Sequence, residues 1–83
     1  MENDYTIRTA LSRKLTELRK EAKLTIGQLS EQSGIHHVAI ERYESGEGCP
    51  SLVSLLRLAY FFGVSLDELC CMDEYIARRD QDE

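Results

Sequence analysis

The chain has 83 residues, room for one small domain, and it carries a net charge of −5 and three cysteines. An odd cysteine count with Cys70 next to Cys71 argues against a disulfide-stapled scaffold, and the lack of C-x-x-C spacing argues against a zinc site. No apolar run approaches the ~18 residues that would span a membrane and no signal-peptide stretch precedes the domain, so the expectation is a cytoplasmic protein with reduced thiols.

The acidity is uneven along the chain. Residues 1–4 carry −2, residues 5–46 carry +2 from seven Lys/Arg against five Glu, and residues 47–83 carry −5 from three Arg against eight acids. The central segment is mildly basic, so net charge alone does not exclude a nucleic-acid partner.

Ile7, Leu11, Leu15, Leu18 and Ala22 recur in the i, i+4, i+7 rhythm of an amphipathic helix, with Asn3 or Asp4 as its cap. Lys14, Glu17, Lys20 and Glu21 fill its solvent side. T-I-G-Q at residues 25–28 has the form of a capping box, so a second helix is expected to start at residue 26. Gly34 ends it, since glycine suits a left-handed residue after a helix. A third helix runs from about His37 to Ser45 and stops at Gly46 for the same reason. Residues 46–50 form a loop, and Ser51 caps a fourth helix whose expected core face is Leu52, Leu55, Leu56, Ala59 and Phe62. Gly63 closes it. S-L-D-E at residues 65–68 is another capping box, opening a fifth helix with Leu66, Leu69 and Met72 inward. No strand-like alternation or internal repeat is present, and five short helices with short connections predict an all-α domain. The expected layout is a single domain over residues 1–83, with its core in 5–72 and a charged helical extension or frayed tail in 73–83.

Residues 25–46, TIGQLSEQSGIHHVAIERYESG, read as two short helices joined by a tight turn at Gly34, the second holding a row of polar side chains away from the core. A helix held in that way fits the major groove of DNA, which is about 12 Å wide. Around it stand L-x-x-L-R at residues 15–19, L-T-x-x-x-L-S at 24–30, S-G-I at 33–35, A-I-x-R-Y-E-S-G at 39–46, P-S-L-x-x-L at 50–55 and G-V-S-L-D-E-L at 63–69. With these pieces in this order, roughly residues 11–69 resemble the phage repressor and Cro-type (XRE-like) helix-turn-helix transcriptional regulators. The resemblance implies a five-helix lambda-repressor-like DNA-binding domain with the helix-turn-helix in helices 2 and 3. It also implies a partly buried ion pair between Arg19 and Glu44, and Ser30 at the helix crossing where the family usually has alanine.

With Ile35, Ile40 and Tyr43 inward, His37, Val38, Glu41 and Arg42 face outward and are the expected DNA base contacts. Arg42 suits a fork to guanine, Val38 a thymine methyl, and Glu41 a cytosine amino group or the orientation of Arg42, while His37 both donates and accepts. The expected phosphate contacts are Thr25 with the free amides opening the second helix, and His36, which takes a cap position the family usually gives to serine or threonine. Arg19 and Ser45 join them by the family pattern. Ile26 stands where the family commonly has glutamine, and the loop 47–49 lacks lysine and arginine. Fewer phosphate contacts imply modest affinity per subunit and dependence on a dimer.

Leu58 and Phe61 fall off the expected core face of the fourth helix, and apolar residues continue into the fifth. The expected dimer interface is therefore Phe61, Cys70, Cys71, Met72, Tyr75 and Ile76, placing two recognition helices about one DNA turn apart, roughly 34 Å. The expected function is a sequence-specific regulator that represses by occlusion, as a homodimer on a near-palindromic operator. Double-stranded DNA is the expected partner. No enzyme activity, cofactor, metal, membrane or small-molecule ligand is expected, since no catalytic constellation or phosphate-cradling glycine loop occurs. The alternative reading is a protein-interaction module of the same fold, an antitoxin-like or anti-regulator subunit whose acidic C-terminal half binds a basic partner.

Overall fold

The structure is a computed structural model that describes the backbone of residues 4–70 and the side chains of residues 8–70. Five helices follow one another: α1 Asp4–Glu21, α2 Ile26–Ser33, α3 His37–Ser45, α4 Leu52–Phe62 and α5 Leu66–Leu69. No strand occurs among the described residues. The expected all-α arrangement is present, with α5 reduced to one turn; Met72 and the tail 73–83 lie outside the described residues.

Local chemistry sets the helix ends. The Thr25 hydroxyl accepts from the Gln28 amide at 3.1 Å while Gln28 Oε1 accepts from the Thr25 amide at 2.9 Å, a complete capping box for α2. Ser51 accepts from the Ser54 amide and opens α4, and Ser65 accepts from the Glu68 amide and opens α5. Gly34 adopts φ +78°, and its amide donates to the Ser30 carbonyl at 3.0 Å. A Cβ at Gly34 would lie 3.1 Å from Arg57 Nη1, the movable end of a flexible side chain, so it is the backbone conformation that calls for glycine there. The α1 end has no glycine: Lys23 takes φ +60° itself, and the Leu24 amide returns to the Arg19 carbonyl at 3.2 Å. Ala22, expected on the apolar stripe of α1, is exposed, one residue past the end of the helix.

The core draws on every element. Leu11 and Leu15 from α1, Leu29 from α2, Ile35 from the turn, Ile40 from α3, Leu58 and Ala59 from α4 and Leu69 from α5 are buried together. Leu18, Leu24, Ile26, Ala39, Tyr43, Leu55, Phe61, Phe62, Val64 and Leu66 pack around them. α1 lies against α3 and α5, α2 against α3 and α4, and α4 against α5.

Leu52 and Leu56, expected in the core, are exposed, whereas Leu58, expected to be surplus, is fully buried. α4 is apolar nearly all round, with Ser54 and Arg57 its polar residues. Periodicity therefore does not select its inner face; packing against α2 and α5 does.

Candidate nucleic-acid interface

Two contacts from α1 fix the end of α3. Arg19 Nε donates to Glu44 Oε2 at 2.6 Å and Nη2 donates to Oε1 at 2.9 Å, a bidentate fork, while Nη1 donates to the Leu24 carbonyl at 2.8 Å. The two side chains are 14% and 9% exposed, so solvent screens the pair weakly. The hydrogen bond to Glu44 raises the Arg19 pKa above its ordinary value; burial opposes this and the carboxylate charge adds to it. The Ser12 hydroxyl donates to the Glu44 carbonyl, so α1 holds Glu44 by both side chain and backbone.

That anchor, with Ile40 fully buried and Tyr43 packed on the core, determines which face of α3 looks outward. His37, Val38, Glu41 and Arg42 are all exposed, Val38 at 46%. At 1.5 Å rise per residue the strip from 37 to 42 is about 7.5 Å long, within the span of a few base pairs. Among the described residues the polar side-chain atoms of His37, Glu41 and Arg42 make no hydrogen bond, which leaves them available to a partner.

The start of α3 is capped by a ring. His36 Nδ1 accepts from the Val38 amide at 3.2 Å, and the ring stacks on His37 with centroids 4.6 Å apart. A neutral imidazole that accepts through Nδ1 carries its proton on Nε2, so its free edge is a hydrogen-bond donor. His36 thus caps the helix and presents an outward N–H at the same time. Thr25 is exposed at the mouth of α2, where the cap takes the Gln28 amide and the preceding amides lack helical partners.

The remaining expected phosphate residues are less free. Three of the five N–H groups of Arg19 are engaged within the protein, and the Ser45 hydroxyl donates to the Arg42 carbonyl at 3.0 Å. Arg42's carbonyl also accepts from the Glu47 and Gly48 amides, at 3.0 and 3.3 Å, which folds the α3–α4 loop over the end of the helix. Of the expected dimer residues, Phe61 is half-buried with its ring edge-on to Phe62 at 5.0 Å, and Cys70 is half-buried. Cys71, Met72, Tyr75 and Ile76 lie outside the described residues.

Two contacts carry no clear sequence signal. Arg57 Nη1 on α4 donates to the Gly34 carbonyl at 3.3 Å, pinning the turn between α2 and α3, and Ser12 reaches Glu44 across 32 positions of sequence. Among the described residues no group of three or more His, Cys, Asp or Glu is placed to hold a metal ion, and no helix is long and apolar enough to cross a membrane.

Two short helices joined by a left-handed glycine, with the second braced from behind and polar on its open face, define a helix-turn-helix protein. The helix-turn-helix family pattern matches residues 15–69, and the chain belongs to that family, one of DNA-binding transcriptional regulators rather than enzymes. It is 43% identical over 63 residues to the HTH-type transcriptional activator BcrR of Enterococcus faecalis, covering 76% of this chain and 31% of that protein. It is 35% identical over 60 residues to the cryptic phage CTXphi transcriptional repressor RstR of Vibrio cholerae, covering 72% of this chain and 54% of that protein. The chain therefore spans about a third and about half of the length of these two relatives. Among solved structures it superposes on the restriction-modification controller protein C.AhdI from Aeromonas hydrophila with a TM-score of 0.69 at 29% identity, covering 75% of this chain and 94% of that one.

Proposed function

We propose that the chain binds double-stranded DNA sequence-specifically through the outer face of α3, and that it acts in the cytoplasm as a transcriptional regulator repressing by occlusion. The observation that carries this reading is the exposed strip His37, Val38, Glu41 and Arg42, held outward by buried Ile40 and by the Arg19–Glu44 fork. Arg42 takes guanine through two parallel hydrogen bonds and Val38 packs on a thymine methyl; Glu41 accepts from cytosine and His37 adds a polar contact beside them. Thr25, the opening amides of α2 and the outward edge of His36 take phosphates, with the spare N–H groups of Arg19 and the Ser45 hydroxyl as lesser contributors.

One fixed positive charge on the reading strip and a loop without lysine or arginine make a weak monomeric binder. We infer that the working unit is a homodimer on a near-palindromic site, the symmetry of the operator mirroring that of the protein. A salt-titrated mobility shift with random and selected duplexes tests the function. Binding that falls with salt and prefers one sequence supports it. No binding even at low salt refutes it and favours a protein-interaction module of the same fold.

A further inference from the structure

Five large apolar side chains are exposed among the described residues, and four of them lie on one helix: Leu52 at 65%, Val53 at 59%, Leu56 at 48% and Tyr60 at 91%. On α4, Leu52, Leu56 and Tyr60 follow at intervals of four and so form one surface ridge, with Val53 on its flank. We propose that a second copy of this chain covers this ridge, in an antiparallel α4–α4 contact whose two-fold axis passes beside Leu56. The proposal rests on the homodimer reading above and names its surface.

The symmetry of the ridge supports the choice of occupant. A two-fold contact requires a surface complementary to itself. A ridge with equal steps of four on either side of Leu56 satisfies this, because rotation about Leu56 sets Leu52 opposite Tyr60 of the partner subunit. The ridge carries no Asp, Glu, Lys, Arg or His, so the rotation brings no like charges together along it. Arg57, the one charged residue of α4, lies at its margin and donates to the Gly34 carbonyl.

Area gives the strength. The four side chains offer on the order of 500 Å² per copy, short of the about 800 Å² per partner of a stable interface. The expected dimer is accordingly weak without DNA, with a Kd on the order of tens of micromolar, and operator DNA completes it. Leu58 is buried in the core and Phe61 and Phe62 pack partly against it, so Leu52, Val53, Leu56 and Tyr60 are the exposed large apolar side chains of α4.

Sedimentation of the full chain without DNA, up to about 500 µM and so well above that Kd, tests the proposal. Wild-type protein is expected to show a monomer–dimer equilibrium. Leu56→Glu, Leu52→Lys and Tyr60→Glu are each expected to weaken it at least about tenfold, with circular dichroism unchanged because all three sites are exposed. The double variant Leu52→Lys with Tyr60→Glu is expected to recover to within about threefold of wild type, since the antiparallel register sets each introduced lysine against an introduced carboxylate of the partner. A wild-type dimer that Leu56→Glu leaves equally tight overturns this surface while the homodimer reading stands. A double variant no tighter than its singles overturns the register and with it the proposal. A protein monomeric at that concentration, alone and on operator DNA, overturns both.

Discussion

Replacing Glu44 by alanine removes the group that ties the last turn of α3 to α1. The variant loses two charge-assisted hydrogen bonds, of 2.6 and 2.9 Å, and leaves Arg19, 14% exposed, with the Leu24 carbonyl as its remaining partner. Breaking a buried pair from one side costs about 3–5 kcal/mol, whereas an exposed pair is worth about 0–1 kcal/mol. The exposures of 14% and 9% place this pair near the buried case with some solvent access, so the expected loss is about 3 kcal/mol. For a domain of this size that corresponds to a melting temperature lower by about 12–24 °C, a large part of the total stability. Thermal unfolding by circular dichroism measures it, with Glu44→Gln as a milder variant that keeps an acceptor, and with Arg19→Ala and the double variant completing a cycle. Because the hydrogen bond raises the Arg19 pKa in the fold, its stabilising effect is fully present below the unfolded-state value and fades only at strongly alkaline pH. The deficit is therefore expected to be the same from about pH 6 to 9. Single variants melting within about 3 °C of wild type, or a strictly additive double variant, would show that the Arg19–Glu44 pair does not hold α3 to α1.

Gly34→Ala is expected to lower stability by about 1–2 kcal/mol from left-handed strain, while Gly34→Asn loses less; denaturant titration checks the order. Arg42→Ala is expected to cost about 1–3 kcal/mol of specific binding and to relax selectivity at one base position, with unchanged melting because the side chain is exposed. Fluorescence anisotropy on a selected duplex and its single-base variants reads both effects.

The helix boundaries were legible in the sequence because caps are local chemistry. Thr25 with Gln28, Ser51, Ser65 and the glycines at 34, 46 and 63 act within a few residues of themselves. The outward strip of α3 was legible for a related reason, since Ile40 and Tyr43 declare the inner side by their types and spacing, while the anchoring role of Glu44 came from the family resemblance. The inner face of α4 was not, because leucines and aromatics surround that helix and only its neighbours in space distinguish Leu58 from Leu56. The left-handed turn at Lys23 has no residue-type signature in the sequence. Arg57 on the Gly34 carbonyl and Ser12 on the Glu44 carbonyl join positions far apart in sequence, which no local pattern encodes.

Whether α3 reads DNA sequence is decided by selecting bound duplexes from a random pool. The expected result is an enriched site with two half-sites related by a two-fold, centred about 34 Å or one helical turn apart, whose half-site preference changes when Arg42 is replaced by alanine. A pool that stays random after repeated rounds at low salt, or an enriched site indifferent to Arg42, Glu41, Val38 and His37 alike, contradicts it.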